Sequence, residues 1–128
     1  MNTWERPAVI HALDMLALDI NAWADGKGFN KPPIVLPQDT PEAGQLKLLI
    51  KSSMIALMHS ELSELLEGLR KPKHIPDENA LTNEEEEVAD LIIRALHYAG
   101  KYDLRIGEAI YRKMQINQGR PYLHGKRF

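Results

Sequence analysis

Prolines limit where this chain can form regular structure. Four of the eight lie between residues 32 and 41, and two more stand at positions 72 and 76. Because proline lacks a backbone N–H and has a fixed φ angle, both stretches are expected to be loops. Outside them the apolar residues recur at helical spacing, and only the short run 34–36, flanked by prolines, is strand-like. The sequence therefore predicts an all-α fold, most simply a four-helix bundle.

The first two predicted helices are defined by an apolar stripe and by a capping residue. One face of the first helix carries Val9, Leu13, Leu16, Ile20 and Trp23. Because Trp23 continues this stripe, we expect it in the core, although with Phe29 it could instead stack on the planar ring of a ligand. The second helix is predicted to begin after Thr40 as N-cap, with Pro41 in its first turn, and to run to about Arg70.

Local signals also define two further helices. Thr82, followed three residues later by Glu85, forms a capping-box pattern, and the helix that it opens is predicted to end at Gly100. Asp103 is expected to cap a fourth helix that ends near Gly119. The third helix is apolar around most of its circumference, which predicts burial on several sides and self-association of the chain.

The composition favours one domain that covers residues 1–128, with a Pro-rich loop at 30–41 and a basic tail at 119–128. Without cysteine the chain can form no disulfide and no thiolate site, so a bound metal must be held by oxygen or imidazole ligands. With 16 basic and 18 acidic residues the chain is nearly neutral, which disfavours nucleic-acid binding. Leader-like and membrane-spanning apolar runs are absent from the sequence, so a cytoplasmic protein without membrane partners is expected.

Two pairs of acidic residues lie where ordinary surface charges are not expected. One pair continues an apolar stripe, and the other lines the narrow polar sector of a helix that is otherwise apolar. Glu61 and Glu64 continue the apolar stripe of the second helix. Glu87 and Asp90 line the narrow polar sector of the third helix. The two residues of each pair are three positions apart, so they project from neighbouring turns. If the two helices are antiparallel, all four carboxylates reach a similar level.

Four carboxylates in a partly buried site indicate a bound cation, because repulsion and desolvation would otherwise oppose their ionisation. Oxygen ligands favour a hard cation, Mg²⁺ or Mn²⁺. A di-iron site is the nearest alternative, but it normally needs Glu-x-x-His pairs, and no histidine in this sequence has a glutamate three residues before it. Arg94 and His97, in the same sector of the third helix, either orient the carboxylates or form an ordinary surface pairing.

The order of these residues resembles that of a known enzyme family. Glu61-x-x-Glu64 is followed, after an insertion, by Glu87-x-x-Asp90, and a Lys-x-x-x-Asn-x-x-Arg pattern follows downstream. Either acidic half alone would be a weak signal, but the combination on helices is fairly specific. Over roughly residues 42–127 the sequence resembles the MazG-like, all-α nucleoside triphosphate pyrophosphohydrolases, in particular their small single-domain members.

The resemblance implies Mg²⁺-dependent hydrolysis of a canonical or modified nucleoside triphosphate between its α- and β-phosphates, which yields the monophosphate and pyrophosphate. The metal ligands that it implies are Glu61, Glu64, Glu87 and Asp90. The positions that match its phosphate contacts are Lys113, Asn117 and Arg120. Glu64 and Lys113 are the candidate catalytic residues, with Glu64 as the candidate general base, and Tyr122 is a further candidate for substrate binding. The resemblance also implies a homodimer or homotetramer, in which neighbouring chains complete the helical bundle.

Two functions of other classes stay open on the sequence alone. A catalytically silent helical module could keep this scaffold and bind a nucleotide, a metal or a protein partner. A nucleic-acid adaptor could use the basic end from Arg120 to Arg127, although the overall charge disfavours it. For Lys113 and Arg120 themselves, the alternative to phosphate binding is a solvated basic face at a helix C-terminus.

Overall fold

The computed structural model describes residues 7–72, 74–75 and 77–127, most of which are helical. Its elements are α1 (Pro7–Gly26), α2 (Pro41–Arg70), α3 (Asn83–Lys101), α4 (Ile106–Gln118) and a 3₁₀ turn (Tyr122–Gly125). No β-strand occurs within these described ranges, and the strand-like run 34–36 is irregular, so the all-α prediction is confirmed. Within the same ranges, no helix combines the length and the apolar character that crossing a membrane would require.

The N-termini of α2 and α3 form as their capping residues predict. The Thr40 hydroxyl accepts a hydrogen bond from the Ala43 N–H, and Pro41 occupies the first turn of α2. At α3, Thr82 Oγ1 accepts from the Glu85 N–H, and a Glu85 carboxylate oxygen accepts from the Thr82 N–H at 2.7 Å. The reciprocal bonds satisfy N–H groups that a helix start leaves without partners, so both boundaries are set locally.

The predicted cap of α4 is wrong. Asp103 lies in the preceding turn with φ 52°, and Arg105 stands at the N-cap position without a side-chain cap. The N–H of Gly107, in the first turn of α4, instead donates to the Asp14 carboxylate of α1 at 2.9 Å. A residue 93 positions away in sequence therefore does what a local cap was expected to do.

The main helix contacts run in the order α2–α3–α1–α4, so that α3 is packed between α2 and α1. Two glycines let helices approach α1 closely. A Cβ at Gly100 of α3 would lie 2.3 Å from the backbone oxygen of Ala17, and one at Gly107 of α4 would lie 2.3 Å from that of Ile10. Because real Cβ atoms do not come so close, either side chain would push the helices apart.

The chain buries little of its apolar surface by itself. The buried core consists of small residues and one leucine: Ala17, Ala24, Leu96 and Ala99. The accessible surface is 10152 Å², whereas a folded monomer of this mass, 14.6 kDa, exposes about 6,900 Å². Much of the exposed apolar surface lies on α2, where an outer stripe is formed by Leu48, Ile55, Leu62 and Leu66. The first three recur at seven-residue steps, a spacing typical of a helix that packs against another helix.

Candidate metal centre and the adjoining cavity

Helices α2 and α3 are antiparallel, as the carboxylate prediction requires. Near one end of the pair, the Asn83 side chain packs directly against Gly68. Near the other end, the Lys51 ammonium lies 4.5 Å from the centroid of the Tyr102 ring. The acidic pair of α2 therefore faces the first half of α3.

Three of the four predicted metal ligands come together at this level. Glu61, Glu87 and Asp90 each place a carboxylate oxygen within 4.8 Å of the other two. Glu61 is only 5% exposed, Glu87 is half-buried and Asp90 is exposed. Glu64 is exposed and falls outside this set of three, but its carboxylate adjoins those of Glu61 and Glu87. The structure thus gives three converging carboxylates with a fourth at the rim.

The three carboxylates differ in their electrostatic surroundings. The Arg94 guanidinium hydrogen-bonds and ion-pairs with Glu61, which holds the pKa of Glu61 below its ordinary value despite burial. Burial raises the pKa of Glu87, and the negative charges of Glu64, Glu61 and Asp90 raise it further. One Glu87 oxygen, Oε2, is shielded from solvent and has no hydrogen-bond partner among the residues that the structure describes. A buried oxygen of this kind is costly unless a donor or a cation satisfies it.

This arrangement can hold a hard divalent cation. Carboxylate oxygens are the ligands that Mg²⁺ and Mn²⁺ prefer, and Mg²⁺ usually takes only one or two of them and fills its remaining positions with water and substrate phosphates. The orphaned Glu87 oxygen and the accessible Asp90 carboxylate fit that chemistry. A cation would also offset the repulsion that raises the pKa of Glu87.

The Arg94–Glu61 pair should make stability depend on pH, because it lowers the folded-state pKa of Glu61. A carboxylate with a lowered pKa contributes stability above its unfolded pKa, about 4.3, and loses it as the pH falls through the folded-state value. In metal-free buffer, we expect Arg94→Gln to lower the free energy of unfolding at pH 7 by about 1–2 kcal/mol, since the arginine is partly exposed. The difference from the wild type should shrink below about pH 4, as denaturant titrations at several pH values would show.

Arg70→Gln is the matched control for this prediction. Arg70 pairs with Glu67 at 3.6 Å on the same helix, but both side chains are exposed. Surface pairs contribute little, so this variant should match the wild type at every pH. Equal free energies of unfolding for Arg94→Gln and the wild type at pH 7 would show that the Arg94–Glu61 pair does not stabilise the folded state.

A cavity of about 280 Å³ opens beside these carboxylates. Its lining comes from α1, the following turn, α2 and α3, and comprises Ile20, Trp23, Phe29, Met54, Leu57, Glu61, Asp90, Ile93, Arg94 and His97. Trp23 and Phe29 lie with their ring centroids 5.7 Å apart. Trp23 is 54% exposed, so its predicted place in the core is wrong. The end of the apolar stripe therefore borders the cavity instead of the core.

The hydrogen bonds of His97, which lines the cavity, were not predictable from local sequence. His97 Nε2 lies 2.7 Å from Asn30 Oδ1, and Asn30 Nδ2 donates to Asn21 Oδ1 at 2.8 Å. Burial lowers the pKa of His97, and the positive charges of Lys101 and Arg94 lower it further. His97 and Asn30 are 67 positions apart in sequence, and no motif links them. The sector shared by His97, Arg94 and Asp90 was the only signal.

The predicted phosphate-binding residues lie away from this cavity. Lys113 is exposed and Asn117 is half-buried on α4, which packs mainly against α1. Because α4 ends at Gln118, Arg120 lies beyond the helix, where its guanidinium contacts His124 Nδ1 at 3.0 Å. Tyr122 is 91% exposed. None of these predicted residues lines the cavity, and their contact with phosphate stays a prediction.

Comparisons with models of protein families, with curated proteins and with solved structures found no match to this chain.

Proposed function

We propose that this protein is a Mg²⁺-dependent nucleoside triphosphate pyrophosphohydrolase of the MazG-like type. The observation that carries the proposal is the convergence of Glu61, Glu87 and Asp90 beside a cavity whose lining includes two aromatic rings. The order of the acidic pairs along the sequence supports the same activity. A cavity of about 280 Å³ is near the small end of ligand pockets, which suits a nucleobase while the triphosphate stays outside near the carboxylates.

In this proposal the carboxylates have separate roles. Mg²⁺, or Mn²⁺ in its place, would acidify a water molecule and polarise a phosphate oxygen when bound. Arg94 holds Glu61 in one orientation, so that this ligand is positioned before the metal arrives. Glu87 offers an oxygen to which no described residue donates a hydrogen bond. Glu64, exposed at the rim, accepts the proton of the attacking water.

The reaction breaks one bond and forms one. The water oxygen bonds to the α-phosphorus, the bond from that phosphorus to the bridging oxygen breaks, and pyrophosphate leaves with the electron pair, while Glu64 takes the proton of the water. Pyrophosphate carries away most of the negative charge, which basic side chains must offset. Lys113, Asn117 and Arg120 are the residues that we propose for the phosphates, with Lys113 as a candidate catalytic residue and Tyr122 as a further contact.

A product assay tests this activity directly. We expect purified protein with Mg²⁺ to release pyrophosphate, and not orthophosphate, from at least one member of a panel of canonical and modified NTPs and dNTPs. Addition of EDTA should stop the reaction. Release of orthophosphate alone, or nucleotide binding by calorimetry with no turnover on any member of the panel, would contradict the proposal; the second result would favour a silent binding module.

We also propose that the chain works as a homo-oligomer. The accessible surface of 10152 Å² exceeds that expected of a folded monomer by about 3,000 Å². Obligate interfaces bury about 2,000–5,000 Å² in total and are rich in apolar residues. The outer stripe of α2 supplies such a surface, with Leu48 and Leu66 each more than 60% exposed. A dimer or tetramer would cover this stripe with helices of other copies.

A further inference from the structure

The cavity carries one polar group whose hydrogen-bonding state the structure fixes. His97 lines the cavity together with the aromatic pair Trp23 and Phe29, and its Nε2 lies 2.7 Å from the Oδ1 of Asn30. A histidine nitrogen can donate or accept in such a contact, so the orientation of the Asn30 amide decides which it does.

Two acceptors on α1 set that orientation. Asn30 Nδ2 lies 2.8 Å from Asn21 Oδ1 and 3.5 Å from the backbone oxygen of Asn21, and the latter can only accept. The Asn30 amide nitrogen therefore faces Asn21, and its oxygen faces His97. Because that oxygen accepts, the proton of the imidazole lies on Nε2.

The other ring nitrogen of His97 is then an acceptor. A histidine with an ordinary pKa, about 6.5, carries one proton at neutral pH, and burial, Lys101 and Arg94 lower the pKa of His97 further. With that proton on Nε2, Nδ1 presents a lone pair, and it has no hydrogen-bond partner among the described residues. The lining of the cavity therefore combines an imidazole that has an acceptor nitrogen with the aromatic rings of Trp23 and Phe29.

We infer that the cavity is a nucleobase subsite that selects bases with an exocyclic amino group on the pyrimidine 4-position or the purine 6-position, namely cytosine and adenine. This inference rests on the proposed nucleotide hydrolysis. The base stacks against Trp23 and Phe29, and its amino group donates to His97 Nδ1. Uracil, thymine, guanine and hypoxanthine present a carbonyl oxygen at the same position, which would face the lone pair of Nδ1. Asn30 acts as a positioning residue because it fixes the imidazole tautomer.

Paired nucleotides that differ only at this position test the inference. We would titrate the full chain with α,β-imido analogues of dCTP and dUTP, and of dATP and dITP, in the presence of Mg²⁺, by isothermal titration calorimetry. The amino member of each pair should bind about tenfold more tightly or better. His97→Phe keeps a ring of similar size without the acceptor, so this preference should disappear. His11→Phe on the exposed face of α1 is the matched control and should keep the preference.

A second variant tests the inference even if His97→Phe does not fold. Asn30→Leu removes the acceptor that fixes the tautomer, so the amino preference should weaken while stacking on the aromatic pair is kept. Equal binding of both members of each pair to the wild type, or no binding of any analogue, would overturn the inference. The two proposals can fail independently. Turnover with equal affinities for both members of each pair would support the hydrolase and contradict the base selectivity. Amino-selective binding without pyrophosphate release from any nucleotide would support the subsite and contradict the hydrolase.

Discussion

Glu61→Gln and Asp90→Asn are each expected to reduce pyrophosphate release by about 1,000-fold or more, because a catalytic metal contributes several kcal/mol and each 1.4 kcal/mol is a factor of ten. Both substitutions keep the size of the side chain and remove its negative charge. Glutamine at position 61 can still accept a hydrogen bond from Arg94, so helix packing should persist. Steady-state turnover of the preferred triphosphate measures the loss, and circular dichroism measures the helical content.

Glu67→Gln is the control for these variants. Glu67 lies on the same helix, but it is exposed and pairs with Arg70 and Lys71 on the surface. This variant should retain both turnover and Mn²⁺ binding, whereas Glu61→Gln and Asp90→Asn should lose measurable Mn²⁺ binding in calorimetry. If all three variants bind Mn²⁺ and turn over like the wild type, the carboxylates are not metal ligands.

Because the pKa of Glu87 is raised, the affinity of the site for a metal ion should depend on pH. Protons and the cation compete for this carboxylate, and burial together with its acidic neighbours makes it retain its proton to a higher pH than usual. The affinity for Mn²⁺ should therefore fall as the pH is lowered towards 5, and binding should release protons to the buffer. A pH-independent affinity over this range would show that Glu87 does not take part.

The second large effect is expected in the mass of the protein. Light scattering should give at least twice the chain mass of 14.6 kDa at micromolar concentration. The pair of substitutions Ile55→Lys and Leu62→Lys places two charges on the outer stripe of α2 and should shift the protein towards the monomer, because burying both charges in an apolar interface is costly. Sedimentation velocity would follow the change over a range of concentrations.

Ser53→Lys provides the control for the interface. Ser53 is exposed on α2, about 140° around the helix from Leu48, so that a lysine there lies away from the outer stripe. This variant should sediment like the wild type. A wild-type protein that is monomeric at all concentrations would contradict the oligomer, whatever the variants do.

The helices themselves follow from local sequence. Thr40 and Pro41 set the start of α2, and the reciprocal bonds of Thr82 and Glu85 set the start of α3. Such signals act over three or four residues, within reach of one helical turn, and therefore need no tertiary partner. The spacing of the acidic pairs was enough to predict that Glu61 lies close to Glu87 and Asp90. In an antiparallel pair of helices, turns at similar distances from the connecting loop lie side by side.

The sequence by itself thus determined the all-α fold and most helix boundaries. It also identified all three of the carboxylates that converge, together with a fourth that lies at the rim. Contacts between residues distant in the chain decided the rest. Asp14 replaced the expected local cap of α4, Trp23 lines a cavity instead of packing in the core, and Asn30 hydrogen-bonds with His97 from 67 positions away. Local propensity fixes which turns are helical, but it is the relative placement of the helices that determines which side chains share a cavity. A periodic pattern carries no information about that placement.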